Sequence, residues 1–532
     1  SRWWGAGPNR APASPAALVA AGLRAANQLQ AGTAAQLFDA ALAADPSNAM
    51  AAYYRSVVEA DPPVRHRLLD SARRLAQQAP AWERRFIEHQ WVAQFAPADV
   101  VLERAGALAS LHPGEAAAQL ALGRALYAAG RYGEAIRPLE QAIQLDAASL
   151  ADGGDFCDAC QAYGALLNAY IAQDSAPAAE RVARRWINQA PRAPRGWFGL
   201  AAALDLLGQP DASLAAARRA LSSPPGDEMV ILATAPLLRA GRFAEADRYL
   251  TSQVQLGSDR VRAQALALET TSLRYQGRFR EALESARAFR ATGADRFVTA
   301  YLEGQVLFEL GRYAESGALF DSVARGVYGG DPSPAHRART VTWNLAHVAT
   351  AAASAGDTSA LRRLSDSMQV TGARSALGRD ALLHHHVRGL GLRLGGRTRE
   401  AIAEFRRSIF SSTLGFTRTN LELGRLLLAE GRAREAAAIL GPALRGAIHA
   451  SNTYVTQTEI HLELARALDA AGVRDSAAVH YARVTRAWRR ADPPLDGLRR
   501  EVELRLRALE GRTSPSRSGG PDHPASRTAT SR

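Results

Sequence analysis

A phrase of the form Gly-Arg-x-x-Glu, followed by Ala or Ser, recurs along this chain and is the feature that most constrains its fold. Where copies follow one another directly, they begin 34 to 36 residues apart. Sequence similarity at a fixed period of this length indicates an array of structural repeats, because each unit must stack on its neighbours to bury an apolar face. The copies begin at Gly130, Gly241, Gly277, Gly311, Gly396 and Gly431.

The segment Leu421–Leu444 shows what one unit predicts. Gly431 follows an apolar helical segment and suits the left-handed turn that ends a helix. Glu435 opens the next segment, where the positive end of a helix dipole favours an acidic residue. Gly424 and Ala436 are small, so we expect them where the two helix axes approach closely. The unit is therefore predicted to be two helices joined by a tight turn.

Leu423, Gly424 and Ala436 carry a resemblance to the tetratricopeptide repeat, a helix–turn–helix unit of about 34 residues. The resemblance covers roughly residues 15–510 and implies about eleven or twelve repeats. It implies an all-α fold, a solenoid of antiparallel helix pairs that form a right-handed superhelix. The sequence agrees, because no sustained Val/Ile/Thr alternation bounded by hairpin turns is present.

Composition shifts along the chain predict its organisation. Residues 326–339 are rich in turn formers and are a candidate hinge. Residues 511–532 lack large hydrophobic side chains and should be disordered. The predicted parts are a flexible segment at 1–14, a first solenoid half at 15–325, the turn-rich break at 326–339, a second half with a C-terminal capping helix at 340–510, and the tail at 511–532.

The chain has a formal net charge of +13, and all 65 of its basic residues are arginine. Such a charge is compatible with an acidic partner or with nucleic acid. The arginines are scattered over helix faces and no nucleic-acid-binding motif is present, so we favour base composition as their origin and expect no nucleic-acid role. The absence of lysine excludes a P-loop, a protein-kinase site and Schiff-base chemistry within these residues.

We find no catalytic motif and predict that the chain is not an enzyme and binds no cofactor. Cys157 and Cys160 are spaced for one helix face, and they are either two plain thiols or a local disulfide. A zinc site would need two further ligands. His384, His385 and His386 are consecutive, so on a helix they point about 100° apart and cannot converge on one metal ion. No metal site is predicted.

In the tetratricopeptide family, the concave face of the superhelix is lined by the first helix of each pair. Carrying that register over implies a groove rich in arginine, which would suit an acidic peptide or a C-terminal carboxylate because arginine binds carboxylates with two hydrogen bonds. Solvated surface residues are the alternative interpretation. The candidate groove residues are Arg124, Asn168, Arg274, Tyr275, Tyr301, Gln305, Arg393, Arg425 and Arg466.

The predicted function is a scaffold for protein–protein interaction, with a partner protein or peptide bound in the concave groove. The stretch from Trp82 to Ile136 resembles the C-terminal repeat regions of bacterial serine/threonine kinases and transcriptional regulators. The resemblance implies the sensory or scaffolding half of a signalling protein, with any kinase or DNA-binding activity outside these residues.

Two alternatives stay open. An extracytoplasmic assembly or adaptor protein would be indicated by a Cys157–Cys160 disulfide. An RNA-binding helical-repeat protein is suggested by charge alone. No stretch reaches the apolar length of a membrane helix. We expect a cytoplasmic protein, or a membrane-tethered or extracytoplasmic one if a span precedes Ser1, beside which Trp3 and Trp4 would sit at the membrane interface.

Overall fold

Helices account for all the regular structure that the computed structural model describes, and no strand occurs among those residues. The predicted all-α solenoid is confirmed. The described residues are 14–27, 30–151, 156–220, 229–294, 296–326, 333–411, 413–448 and 451–510. The N-terminal segment before Ser14, the tail at 511–532 and most of the turn-rich break lie outside them, so those predictions are not tested.

Helices α1–α18 are called the first half below. Their bounds are α1 Pro15–Asn27, α2 Ala31–Ala44, α3 Ala49–Val57, α4 Pro62–Leu75, α5 Ala81–Phe95, α6 Ala98–Leu111, α7 Ala116–Ala128, α8 Tyr132–Leu145, α9 Asp158–Ala172, α10 Ala176–Gln189, α11 Pro194–Leu206, α12 Pro210–Ala220, α13 Met229–Arg239, α14 Phe243–Leu256, α15 Asp259–Tyr275, α16 Phe279–Ala291, α17 Arg296–Glu309 and α18 Tyr313–Arg325.

Helices α19–α27 are called the second half. Their bounds are α19 Pro334–Ser354, α20 Leu361–Ala373, α21 Leu383–Leu394, α22 Thr398–Ser408, α23 Thr417–Ala429, α24 Ala433–Ala443, α25 Gln457–Ala470, α26 Arg474–Ala487 and α27 Asp496–Glu510. Short 3-10 turns lie at the ends of several of these helices.

Helices α1–α26 form thirteen consecutive pairs, and α27 packs on the last of them. This is more than the eleven or twelve repeats that we expected. The difference arises before residue 115, where α3–α4 and α5–α6 are joined without the Gly-Arg phrase that marks the later pairs. In those later pairs the turn residue adopts a left-handed conformation, as at Gly431, where φ is +74°.

A glycine in the first helix of a pair allows the second helix to approach closely. At Gly424, a Cβ atom would lie 2.7 Å from Cγ of Leu440. At Gly123, it would lie 2.5 Å from Cδ2 of Leu139. Both filling side chains are sixteen residues downstream of their glycine, so the same interlock repeats along the array. The same pairing joins Gly22 to Phe38, Gly304 to Phe320 and Gly389 to Phe405.

The second half does not extend away from the first but lies alongside it. Loops that join successive pairs of the second half bind to helix ends and turns of the first half, in the same order along both. This series of hydrogen bonds is called the inter-half ladder. Its members are Ser333 Oγ to Gln94 O (2.6 Å), Ala98 N to Ser375 O (3.2 Å), Ser411 Oγ to Ala172 O (2.7 Å), Thr413 Oγ1 to Ile171 O (2.6 Å), Arg239 Nη2 to Gly446 O (3.0 Å), Tyr275 OH to Asn452 O (2.9 Å) and Asp492 N to Gly277 O (2.9 Å).

Where the two halves meet, an aromatic cluster fills the space between their inner faces. The His347 ring stacks on Phe320, with 4.4 Å between the centroids. Phe416 and Tyr454 lie 5.2 Å apart on the opposite side of the same imidazole. Burial, and the positive charge of Arg418 nearby, hold the pKa of His347 well below its ordinary value. The imidazole is therefore neutral at pH 7, and this part of the concave face is occupied by the chain itself.

No helix within the described ranges is both long enough and apolar enough to cross a bilayer.

Candidate functional site

Three of the predicted groove residues, Arg274, Tyr275 and Gln305, are buried. They do lie on the inner face, as their register implies, but the second half covers that face. The expectation that they would contact a ligand is therefore wrong. Their polar groups are bound inside the protein, by Glu309 and the Thr453 carbonyl for Arg274, by the Asn452 carbonyl for Tyr275, and by His347 and Arg418 for Gln305.

Tyr301 is half-buried in the same region, and its hydroxyl donates a hydrogen bond to Thr453 Oγ1 at 2.6 Å. Burial raises the pKa of Tyr301 well above its ordinary value, so the phenol stays protonated and remains a donor. This residue also serves the contact between the halves and not an open groove.

Three further candidates, Arg393, Arg425 and Arg466, remain partly accessible but are held in ion pairs. Each contacts a glutamate on the first helix of the next pair or on α27, so neighbouring inner helices bind each other. These arginines are therefore engaged within the protein. The pairs are Arg393 with Glu422 (3.2 Å), Arg425 with Glu459 (2.9 Å) and Glu463 (2.8 Å), and Arg466 with Glu463 (3.3 Å) and Glu501 (2.7 Å).

Arg124 and Asn168 differ from the other candidates because both are exposed on the first half. Arg124 lies in a concave cavity of about 300 Å³, which is called the N-terminal cradle below. The structure thus does not bring the nine predicted residues into one groove, and it leaves one of them in an open cavity. The cradle is lined by Tyr53, Phe86, His89, Gln90, Ala93, Gln94, Val101, Ala117, Leu120, Ala121, Arg124, Ala125, Ala128, Asp158, Gln161 and Ala376.

The floor of the cradle is the inner face of α7. Gly123 interlocks with Leu139 on α8, which fixes the helix so that the neighbouring Arg124 faces the cavity. Alanines at 117, 121, 125 and 128 line the rest of this face and leave room for a ligand. The surrounding walls remove water from the guanidinium, which lowers the pKa of Arg124 although its side chain is still accessible. At pH 7 the guanidinium nevertheless stays charged.

One wall of the cradle is α5. Phe86, His89, Gln90, Ala93 and Gln94 follow one another at the spacing of a single helix face. His89 is buried, and its Nδ1 has no hydrogen-bond partner among the described residues. Burial lowers the pKa of His89 to about 4, so the ring is neutral at pH 7.

The opposite wall is the first turn of α9, which carries Asp158. The residues on either side of Asp158 are anchored. Ala159 N donates to Asp146 Oδ2 at 3.0 Å, and Cys160 N donates to Cys157 Sγ at 3.0 Å. The structure pairs Cys157 and Cys160 as a disulfide, with Cα atoms 5.2 Å apart and both residues buried. The Asp158 carboxylate is thereby presented to the cavity from a fixed turn.

The loop 374–380 of the second half closes one edge of the cradle. Ala376 lines the cavity, and Ser375 O accepts a hydrogen bond from Ala98 N at 3.2 Å. Gly378 lies against the turn after α7, where a Cβ atom would be 3.1 Å from the carbonyl oxygen of Ala129. The inter-half ladder therefore completes this site.

Changing Asp158 to asparagine is expected to stabilise the protein at pH 7 and not at pH 4. Burial, and then repulsion from Asp146, raises the pKa of Asp158 from 3.8 to about 6. The folded state therefore binds more protons than the unfolded state between these two values, and stability falls as pH rises through that window. Because water in the open cavity screens the charge, we expect a gain of about 1 kcal/mol at pH 7 in urea unfolding.

The matched control for this prediction is Asp99→Asn, since Asp99 is exposed in the first turn of α6 and loses the same interaction with a helix dipole. If Asp158→Asn destabilised the protein at pH 7 as much as the control does, the carboxylate would not be strained by its site.

The sequence interpretation missed most of the cradle. Tyr53, His89, Gln90, Gln94 and Asp158 were not among the predicted groove residues. The helical spacing of Phe86, His89, Gln90 and Gln94 was the available signal, but α5 lacks the repeat phrase that would have identified it as a first helix. The three consecutive histidines do not converge, since His385 contacts Glu404 at 2.7 Å while His386 is buried against Thr419. Within the described residues, no cluster of three or more metal-ligating side chains is present.

Comparison with known proteins adds three solved structures, none above 15% sequence identity. The hetero-tetramer Cut9-Hcn1 of the APC/C is 13% identical, with coverage of 92% of this chain and 95% of that one and a TM-score of 0.33. The human IFIT1 dimer with PPP-AAAA is 15% identical, with coverage of 77% and 92% and a TM-score of 0.35. A tetratricopeptide repeat protein from Parabacteroides merdae is 12% identical, with coverage of 53% and 98% and a TM-score of 0.29.

No protein of curated function matches the chain. A family model described as "Tetratricopeptide repeat" matches residues 102–151, 165–228 and 269–332. These segments contain helix pairs with the left-handed turn and the glycine interlock described above, for example at Gly123 and Gly304. Together, the matches and the repeated helix pairs show that this chain is a tetratricopeptide-repeat protein, built on a repeat that serves as a scaffold for protein–protein interaction.

Proposed function

We propose that this scaffold binds a segment of a partner protein in the N-terminal cradle. One observation carries the proposal. Along the second half, the polar groups of the inner face already bind groups of the same chain, whereas Arg124, Asp158 and His89 converge on an open cavity with no side-chain partner at hydrogen-bond distance within the described residues. Charged and buried polar groups left in this state favour a ligand that completes their hydrogen bonds.

The test is a selection from a random-peptide phage library on the full chain. Peptides that bind the wild-type protein should lose at least about tenfold in affinity for Ala93→Trp, because the indole fills the cavity that the ligand would occupy. Ala107→Trp is the matched control, since Ala107 is exposed on α6 and does not line the cradle. Recovery of no peptides, or equal binding to both variants, would contradict the proposal. Circular dichroism melting of both variants checks that they fold.

The finer proposal concerns context. The resemblance of residues 82–136 to repeat regions of bacterial kinases and transcriptional regulators supports a role as the sensory or scaffolding part of a signalling protein. The coding sequence upstream of Ser1 tests this role: a kinase or DNA-binding domain there would support it, and a start codon would contradict it.

A second candidate is an extracytoplasmic assembly or adaptor protein. The pairing of Cys157 with Cys160 favours it, because disulfides persist in oxidising compartments. Alkylation of the unreduced protein from its native host distinguishes the candidates, since free thiols there would argue against this one. The RNA-binding alternative gains no support, because the inner arginines of the second half are paired with glutamates.

A further inference from the structure

The N-terminal cradle contains two opposite charges that face the same cavity without pairing. Arg124 lies on α7 and Asp158 begins α9, and no ion pair of 4 Å or less joins them. Elsewhere on the inner face such charges meet directly, as Arg425 and Glu463 do at 2.8 Å. We propose that the cradle binds an extended peptide segment with one acidic side chain, which contacts Arg124, and one basic side chain, which contacts Asp158. This inference rests on the proposed function and adds the chemistry of the ligand.

The charge balance of the cavity favours this dipolar ligand over the purely acidic one that the arginine-rich composition suggested. Arg124 and Asp158 contribute one positive and one negative charge. His89 is neutral at pH 7, and burial raises the pKa of Tyr53 above its ordinary value, so its phenol is neutral as well. An acidic ligand without a basic group would satisfy the guanidinium and leave the carboxylate facing a like charge.

The energetic argument has the same direction. A charged group that is partly removed from water and lacks a partner lowers stability, and natural proteins retain such groups mainly where function requires them. The raised pKa of Asp158 and the lowered pKa of Arg124 have desolvation as their largest cause. Longer-range charges at Arg195, Asp146 and Glu115 act on these two groups but do not line the cavity. A ligand with both charges would relieve both desolvated groups at once.

The size of the cavity limits the conformation of the segment. One turn of an α-helix with its side chains is a cylinder about 5.4 Å long and 10–12 Å across, which occupies about 500 Å³. The cradle offers about 300 Å³. An extended chain is narrower, and the amides of Gln90 and Gln94 on α5 are placed to bind its main-chain groups. The cradle therefore fits a short extended stretch and not a helix.

The test repeats the peptide selection on wild-type protein, Arg124→Gln and Asp158→Asn. Wild-type pools should be enriched in peptides that carry both an acidic and a basic residue. Arg124→Gln should lose the enrichment in acidic residues and keep that in basic ones, and Asp158→Asn should do the reverse. For a single selected peptide, each substitution should weaken binding about tenfold or more, because it removes a charge-assisted hydrogen bond.

Two control variants match these substitutions. Arg137→Gln removes an exposed arginine from α8, and Asp99→Asn removes an exposed aspartate from α6, both outside the cradle. Each should leave peptide affinity within about twofold. Pools that are enriched only in acidic residues, or that respond equally to both cradle variants, would overturn this inference and leave the proposed function intact. A failure to select any peptide would instead overturn the proposed function.

Discussion

Replacing Arg274 with alanine is expected to lower the free energy of unfolding by about 3–5 kcal/mol, because it leaves a buried carboxylate without its partner. Arg274 is fully buried, and its guanidinium holds Glu309 through two hydrogen bonds of 2.8 and 2.7 Å. The same group donates to the carbonyl of Thr453 at 2.9 Å, which lies 179 residues away on the second half. The substitution therefore removes a charge partner and a contact between the halves. Urea unfolding monitored by circular dichroism measures the loss.

Arg393→Ala is the matched control, because its ion pair with Glu422 is more accessible, with side-chain exposures of 33% and 19%. We expect it to cost about 1 kcal/mol or less. The double variant Arg274→Met with Glu309→Leu should recover much of the loss, since apolar replacement of a buried pair is often tolerated. Equal losses for Arg274→Ala and Arg393→Ala would show that the buried pair is not what stabilises this region.

Gly277→Ala is expected to destabilise the protein by about 2–5 kcal/mol, the sum of a strained backbone and an overfilled contact. Gly277 has φ of +70°, which disfavours any residue with a Cβ atom. It also lies against the end of the second half, where the new Cβ would be 2.6 Å from Leu495 Cδ1 and 2.9 Å from Ala491 Cβ. The leucine methyl group can rotate away, but the alanine Cβ moves only with its backbone. Thermal melting compares the variant with the wild type.

Gly431→Ala provides the control for this glycine. Its φ is +74°, and nothing lies within 4 Å of the Cβ that would be added. It should therefore show the backbone term alone, about 1–2 kcal/mol. If the two variants melted at the same temperature, the contact of Gly277 with Ala491 and Leu495 would contribute nothing to stability.

The repeat architecture was predictable because its determinants are local. Gly431 and Glu435 specify a turn and a helix start through their immediate neighbours, and Gly424 requires a close helix approach within its own pair. The pairs before residue 115 were less evident, because α3–α4 and α5–α6 turn without a glycine in the left-handed conformation.

The contact between the halves was not predictable in the same way. No periodicity relates Arg274 to Thr453 or Ser411 to Ala172, which are 179 and 239 residues apart. Register placed Arg274 and Gln305 correctly on the inner face, but it held no information about what covers that face. For the same reason the cradle was only partly foreseen: Arg124 follows from the repeat register, whereas Asp158 belongs to a first turn positioned by Asp146 and the cysteine pair.

The inter-half ladder has a consequence for how such a gene can change. In an ordinary solenoid each repeat contacts only its neighbours, so duplication of a unit merely lengthens the array. Here Thr413 binds the carbonyl of Ile171, and Asp492 binds that of Gly277. Duplication or loss of a unit between α10 and α19 would displace donors of the second half by one repeat relative to acceptors that precede the change. We therefore expect the copy number of repeats between the paired positions to be inherited unchanged, with gains and losses confined to the chain ends.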